Sequence, residues 1–185
     1  MRTLSATPID PERYAPFGAV VAAHGGVAPR IANHGAAVAW DALATLIDTR
    51  GSAAAIHASL FRCKPLSGTS LEIRRLERHP RSTQLFVPMN ATRYLVIVAQ
   101  GGDDPDLSTL AAFVVGATQA ITYAPGIWHH PMVALAAETD FVNIVGAARR
   151  EVADGAVHGT TDDCDERAFD PPIARVTVSD PEAAA

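Results

Sequence analysis

Between residues 56 and 145, hydrophobic residues recur at every second position in short runs that Gly, Pro and Asp residues interrupt. A period of two is typical of β-strands, because successive side chains of a strand point to opposite faces. The runs span residues 56–63, 71–78, 94–99, 110–115, 119–123, 132–136 and 141–145. Many short strands at this spacing favour an antiparallel barrel or sandwich. Barrels of this size hold one small ligand or are filled by side chains.

Two details of pairing and burial follow from the same runs. The first two runs are separated by a short loop, so we expect them to form a hairpin. The run 94–99 is almost wholly apolar, which is typical of a strand buried on both faces.

The remainder of the chain predicts short peripheral helices and a tail. Asp10 reads as an N-cap before Pro11 and an acidic first turn, and the apolar spacing of residues 38–47 fits a second helix. With 185 residues, we expect a single domain over residues 1–170. The polar, alanine-ended stretch 171–185 predicts a mobile C-terminal tail.

Charge and cysteine content exclude several classes of protein. The net charge is −5 without a basic cluster, so nucleic acid is not an expected partner. No apolar run approaches the roughly 20 residues of a membrane span, and no secretory signal pattern is present, so we expect no membrane partner. Cys63 and Cys164 are far apart and outside any metal-binding spacing. We therefore expect a cytoplasmic protein with two unreactive thiols.

The run that ends in Glu77-Arg78-His79-Pro80 changes from apolar to charged along one predicted face. On a regular strand that face carries Leu71, Ile73, Arg75, Glu77 and His79. Such a face is typical of a strand that enters a pocket. A second stretch, 126–131, carries His129 and His130 after a Pro-Gly turn, and neighbouring residues of a strand point to opposite sides. We expect one of these two histidines, with His129 favoured, to share a pocket with His79.

Each candidate has a structural alternative. His79 suits an acid, a base or a metal ligand, or a strand residue that donates to a backbone carbonyl. Glu77 can support that imidazole, or form a surface ion pair with Arg75 or Arg78.

Five motifs in fixed order resemble one enzyme family. They are ERHP at 77–80, the spaced set Ser82, Gln84, Phe86 and Pro88, PDLSTLAAF at 105–113, WHHP at 128–131 and TDF at 139–141. Together they resemble the ureidoglycolate lyases. The resemblance implies a cupin-like β-barrel, a homodimer, and a carbon–nitrogen lyase of allantoin (purine) degradation that cleaves ureidoglycolate to glyoxylate and urea.

The resemblance also implies roles for particular residues. Glu77, His79 and His129 become catalytic acid–base candidates, and the altered cupin pattern makes Glu77, His79, Gln84 and His129 candidate ligands of a divalent metal. This mixed set is poorer than three histidines and a carboxylate, so the need for a metal stays open. Nickel is the first candidate, and no organic cofactor is expected.

The implied substrate carries a carboxylate, which an arginine can bind with two parallel hydrogen bonds. Arg62 is favoured over Arg78, because a regular strand turns Arg78 away from Glu77 and His79. Gln84 and Trp128 complete the predicted substrate contacts. Two alternatives remain at this point: a metal-dependent cupin hydrolase that releases ammonia from a ureido acid, and a cupin that only binds a small acid.

Overall fold

The protein is described here from a computed structural model, which covers residues 1–23, 26–51, 54–148 and 163–179. One short helix, α1 (Pro11–Tyr14), and short 3-10 turns at Asn33–Gly35 and Leu107–Thr109 accompany many strands. The strands are β1 (Arg2–Ser5), β2 (Thr7–Pro8), β3 (Val20–Val21), β4 (Arg30–Ala32), β5 (Ala37–Ala39), β6 (Ala54–Cys63), β7 (Ser70–Ile73), β8 (Arg75–Arg78), β9 (Gln84–Pro88), β10 (Arg93–Ala99), β11 (Ala111–Gly116), β12 (Ala120–Tyr123), β13 (Trp128–His129), β14 (Val133–Ala134), β15 (Thr139–Ala148), β16 (Asp165–Ala168) and β17 (Ala174–Thr177).

Three sheets make up the body of the fold. A seven-stranded sheet has the order β16-β8-β13-β10-β11-β2, with β14 also on β10. A five-stranded sheet has the order β3-β12-β9-β15-β6, and a three-stranded sheet has the order β1-β17-β7. A separate hairpin joins β4 and β5.

Strand β10 is central because both of its faces are buried. Tyr94, Val96 and Val98 pack toward the five-stranded sheet, in a core that includes Phe86 and Phe141. The alternate residues of β10, from Leu95 to Ala99, pack toward the three-stranded sheet. Burial on both faces confirms the prediction from its uninterrupted apolar sequence.

The predicted fold class is confirmed as mainly β and mostly antiparallel, with few and short helices. The first helix begins where predicted, and Asp10 accepts a hydrogen bond from the Arg13 amide at 2.9 Å. Over the ranges that the structure describes, the two larger sheets face each other without closing into a barrel. No helix in those ranges is long and apolar enough to cross a membrane.

The predicted helix over residues 38–47 is wrong. Val38 lies in the β4-β5 hairpin, and Ala42 has φ 56°, which an α-helix cannot contain. Val38, Leu46 and Ile47 are all exposed, so the segment has no packed apolar stripe of the kind that stabilises a helix. Helical spacing within an alanine-rich stretch was a misleading signal.

The predicted hairpin of residues 56–63 and 71–78 is also wrong. β6 pairs with β15 over ten residue pairs, whereas β7 pairs with β17, and β8 pairs with β13 and β16. The predicted tail needs correction as well. β17 lies between β1 and β7, and Ala174 and Val176 are fully buried, so residues 174–177 belong to the fold. Residues 180–185 lie outside the described ranges.

A break at Arg74 changes which residues of this region share a face. Ile73 and Leu76 are both fully buried in the core beside the three-stranded sheet, although an unbroken strand would point residues three apart to opposite faces. The predicted single face from Leu71 to His79 is therefore wrong. After the break, Glu77 and His79 point to the opposite face, toward the five-stranded sheet.

Candidate active site

Three side chains, from two neighbouring strands and the residue that follows one of them, form the centre of the site. Glu77 on β8 lies directly opposite His129 on β13, and the distance from Glu77 Oε1 to His129 Nε2 is 3.5 Å. The Gly126 amide donates to the His79 carbonyl oxygen at 2.9 Å, which fastens the Pro-Gly turn to the end of β8. Gly126 has φ 81°, a conformation that glycine adopts without strain. The expected proximity of His79 and His129 is thus present.

The hydrogen bonds of both imidazoles fix their orientation. His79 Nδ1 lies 3.1 Å from the Asp163 carbonyl oxygen, and His129 Nδ1 lies 2.9 Å from that of Ile127. A carbonyl oxygen only accepts, so each Nδ1 carries a proton, and in a neutral imidazole the lone pair is then on Nε2. Tyr123 stacks on His129 with ring centroids 3.9 Å apart, which holds that ring in place.

The protonation states at this centre follow from burial and from the neighbouring charges. Burial, aided by the charge of His129, lowers the pKa of His79 to about 4, so its imidazole is neutral at pH 7. Burial works to raise the pKa of Glu77, but the adjacent imidazoles, His129 first, outweigh it and hold that pKa below its usual value. Glu77 is therefore a carboxylate.

The possible metal-ligand atoms of the three residues lie close together. One ligand atom from each of Glu77, His79 and His129 lies within 4.8 Å of the other two. His129 Nε2 is buried and has no hydrogen-bond partner within the described part of the chain. A carboxylate and two imidazole nitrogens are a donor set that suits a divalent first-row metal. These residues could therefore hold a metal ion.

The cluster opens into a cavity of about 400 Å³ between the two larger sheets. The wall opposite His79 comes from the five-stranded sheet and includes Gln84 and Asn143. The described residues that line it are His57, Ser59, Phe61, Cys63, Glu77, His79, Gln84, Phe86, Pro131, Met132, Asn143, Val145, Ala147 and Cys164. A cavity of this size suits one small molecule.

A buried ion-pair network supports His79 from behind. The Arg50 guanidinium lies 2.6 Å from Asp48 Oδ2 and 3.0 Å from Asp163 Oδ2, and all three side chains are largely buried. Asp163 is the residue whose carbonyl oxygen accepts from His79 Nδ1. Burial raises the pKa of the Asp163 carboxyl, although Arg50 opposes this. The network thus fixes the backbone that orients His79.

The structure does not bring Arg62 to the cavity. His57, Ser59, Phe61 and Cys63 line it, so alternation along β6 turns Arg62 to the outer face. There its guanidinium donates to both carboxylate oxygens of Asp140 at 2.7 and 2.9 Å.

Arg78 and Trp128 lie on the far face of their sheet, away from Glu77 and His129. Trp128 is fully buried, and its Nε1 donates to the Gly102 carbonyl at 3.1 Å. Arg78 binds Asp165 at 2.8 Å, and its guanidinium lies 4.9 Å from the Trp128 ring centroid. Both are one position away from a residue of the cluster, and that single step places them on the opposite side. The predicted substrate contacts of Arg62, Arg78 and Trp128 thus find no support at this cavity.

Sequence reasoning missed several lining residues, of which Asn143 is the most informative. It is the single polar residue in the run Phe141 to Val145, and it points inward. A polar residue at an inward position of an apolar strand was the available signal. His57 and Tyr123 carried no comparable signal.

Comparison with known proteins identifies the family. The ureidoglycolate lyase family matches over residues 1–176. The chain belongs to the ureidoglycolate lyase family. A ureidoglycolate lyase of Pseudomonas fluorescens Pf-5 is 37% identical over 91% of this chain and 93% of its own length. A ureidoglycolate lyase of Burkholderia mallei is 39% identical over 77% of this chain and 81% of its own length.

A solved epimerase from Mycobacterium tuberculosis aligns with 97% of this chain and 86% of its own, at 13% identity and a TM-score of 0.40. The sequence-based assignment to the lyase family is confirmed by the family match and by the two lyases.

Proposed function

We propose that this chain cleaves ureidoglycolate to glyoxylate and urea, as a carbon–nitrogen lyase. The observation that carries the proposal is the cluster of Glu77, His79 and His129 at the wall of a cavity sized for one small acid. The family of the chain supplies the substrate class. Cleavage of this substrate belongs to allantoin degradation, which is the pathway we propose.

The reaction needs one base and one acid. Ureidoglycolate carries a hydroxyl and a urea nitrogen on the same carbon. A base removes the hydroxyl proton, the oxygen forms the carbonyl of glyoxylate, the C–N bond breaks, and the departing nitrogen takes a proton. Glu77 as a carboxylate and His79 with its free Nε2 are suited to accept the first proton. We propose that the same proton passes from Glu77 through His129 Nε2, 3.5 Å from Glu77 Oε1, to the leaving nitrogen, so the two transfers balance. Each such proton transfer raises the reaction rate by about 10²- to 10⁴-fold.

As an alternative use of the same lone pairs, we propose that the cluster binds a divalent metal ion, with nickel as the first candidate; a lone pair bound to the ion does not accept a proton. The unpartnered His129 Nε2 and the three converging ligand atoms support this set. Gln84, the fourth predicted ligand, lies on the opposite wall of the cavity and is left out of it. A bound ion would supply positive charge for the substrate carboxylate, and none of the described residues that line the cavity is an arginine or a lysine.

The decisive experiment measures all nitrogen products. Purified protein is incubated with racemic ureidoglycolate, and glyoxylate, urea and ammonia are followed with time. We expect glyoxylate and urea in equal amounts without ammonia. Ammonia as the main nitrogen product would instead indicate a hydrolase. Binding without any product would indicate a protein that only recognises a small acid.

A variant series tests whether the two histidines act together. His79→Ala and His129→Ala should each lose most of the activity, and the double variant should be little worse than the poorer single one. The control is His130→Ala, since His130 lies outside the cluster and its Nδ1 donates to the Pro131 carbonyl. It should be milder. Losses that simply add, each far from complete, would contradict a shared site.

The metal is tested by removal and return. Wild-type protein is dialysed against a chelator and assayed with and without nickel, manganese or zinc, and metal binding is measured by calorimetry. Glu77→Gln should weaken binding of the ion. Full activity in protein shown to be metal-free would leave the imidazoles as acid–base groups alone.

We propose that the protein is a cytoplasmic homodimer. β6 is the edge strand of its sheet, and in the described part of the chain no strand pairs with its outer edge. Ile56 and Leu60 on this strand are 65% and 59% exposed, a combination that favours association. Light scattering should give the mass of a dimer for wild type and of a monomer for Leu60→Glu. Both cysteines are free, which suits a reducing compartment.

A further inference from the structure

Two amide side chains in the cavity have buried oxygens without partners. Gln84 is 4% exposed and Asn143 is 3% exposed, and among the residues that the structure describes neither Gln84 Oε1 nor Asn143 Oδ1 has a hydrogen-bond partner. Both residues line the cavity. Buried polar atoms are nearly always hydrogen-bonded, so two unpaired acceptors in one cavity wall point to a ligand that brings donors.

The sheet register places the two amides side by side. Gln84 on β9 lies opposite Val145 on β15, and Asn143 lies opposite Phe86. Gln84 and Asn143 are therefore diagonal neighbours on one face, within reach of the same small molecule. They belong to the five-stranded sheet, whereas Glu77, His79 and His129 come from the facing sheet or the loop that follows β8. A ligand between the walls meets the amides at one end and the acid–base cluster at the other.

We propose that Gln84 and Asn143 form the subsite for the ureido group, and that they determine the specificity for a carbamoyl-amine over other acyl-amines. The identity of the ligand rests on the proposed lyase function. The ureido group carries N–H donors on two nitrogens, which match two carbonyl acceptors. The carboxylate end of the substrate carries only hydrogen-bond acceptors, so it cannot form hydrogen bonds with the two amide oxygens. This orientation brings the hydroxyl-bearing carbon and the scissile C–N bond toward Glu77, His79 and His129.

His57 adds a third polar atom to this wall. Its Nε2 is buried and unpartnered, and His57 lies opposite Val145 on the other side from Gln84. In the Nε2–H tautomer, this imidazole donates to the ureido carbonyl oxygen. With His57 in that tautomer, the wall offers two unpaired acceptors and one unpaired donor, which complement the N–H groups and the carbonyl oxygen of a urea.

A substrate analogue tests the proposal on the wild-type protein. N-acetyl-α-hydroxyglycine has a methyl group where ureidoglycolate has its terminal NH₂, and the rest of the molecule is the same. It should be cleaved at least about 100-fold less efficiently, because a site built to bind N–H donors leaves its acceptors unpaired against a methyl group. Equal efficiency with the two compounds would overturn the proposal.

Variants of the two amide residues test whether substrate binding depends on their oxygens. Gln84→Met and Asn143→Leu remove the acceptors at nearly constant volume, and Gln100→Met is the matched control at an exposed glutamine. We expect KM for ureidoglycolate to rise about tenfold or more in the first two, with a smaller change in kcat. Inhibition by the product urea should weaken in parallel, while inhibition by glyoxylate stays the same. The control should behave as wild type.

Weakened inhibition by glyoxylate rather than urea would place the carboxylate, not the ureido group, at the amides. Unchanged inhibition by both products in folded variants would remove the amides from the site. Circular dichroism establishes that each variant is folded.

A binding measurement separates this proposal from the lyase function. Protein with ¹⁵N-labelled side-chain amides is titrated with urea and with N-methylurea below denaturing concentrations. Saturable shifts of the Gln84 and Asn143 side-chain signals support the subsite even if the wild type cleaves nothing. An active lyase without those shifts would overturn the subsite and leave the function standing. Absence of both activity and shifts would overturn both.

Discussion

The neutral state of His79 makes the stability of the protein depend on pH in a calculable way. The pKa of this imidazole is about 4 in the folded protein, chiefly because of burial, and about 6.5 in an unfolded chain. Between these values the unfolded state binds more protons, so the stability contribution is complete above pH 6.5 and is lost as pH falls toward 4. From pH 7.5 to pH 5.0, the linkage relation gives a loss of about 2 kcal/mol in the free energy of unfolding.

The perturbation that isolates this effect is His79→Gln, which keeps an N–H donor for the Asp163 carbonyl but does not titrate. Free energies of unfolding are measured with guanidinium chloride at pH 7.5 and 5.0, in the presence of EDTA. Wild type should lose about 2 kcal/mol more than the variant between the two pH values. The control His34→Gln removes an exposed imidazole and should follow wild type. A difference between wild type and His79→Gln below about 0.5 kcal/mol, or of opposite sign, would refute a buried neutral His79.

Further outcomes follow from the same geometry. Arg62→Ala should leave KM within about twofold of wild type, since Arg62 pairs with Asp140 on the outer face and an exposed ion pair contributes little to stability. A tenfold rise in KM would indicate that Arg62 binds the substrate. Arg50→Met should lower kcat by about 10- to 100-fold because His79 is then misplaced, and Arg50→Lys should recover part of the loss. An unchanged kcat in a folded variant would disprove that Arg50 and Asp163 orient His79. Burial, then the charge of nearby carboxylates, raises the pKa of Cys164 to about 11, so its alkylation at pH 8 should be slower than that of a free thiol by about two orders of magnitude.

The site was predictable where local sequence decides geometry. The period of two predicted most of the strands, and the apolar run 94–99 predicted a strand that is buried on both faces. The Asp10 cap and the Pro-Gly turn before Trp128 depend on a few consecutive residues. Residue type, alternation along the strand, the Pro-Gly turn and the family resemblance together made Glu77, His79 and His129 candidates, because few side chains perform proton transfer near neutral pH.

Which strands pair with each other could not be predicted from local sequence. The partner of β6 is β15, which lies far along the chain, and the nearer run that was predicted to form its hairpin joins other sheets. Local propensity is the same for either pairing. The choice depends on which faces are buried once the whole sheet is assembled, so only the tertiary structure decides it.

The direction of a side chain was the second point that only the tertiary structure decided. One irregular residue, Arg74, reverses the alternation, so that Ile73 faces a core and Glu77 faces the cavity. Because neighbouring residues of a strand point to opposite faces, Arg62 points to the outer face and Asn143 points into the cavity. The sequence by itself determined that this chain forms strands and carries acid–base residues of the lyase family. Register, which shifts every side chain to the other face when it slips by one position, determined which of those residues meet in the cavity.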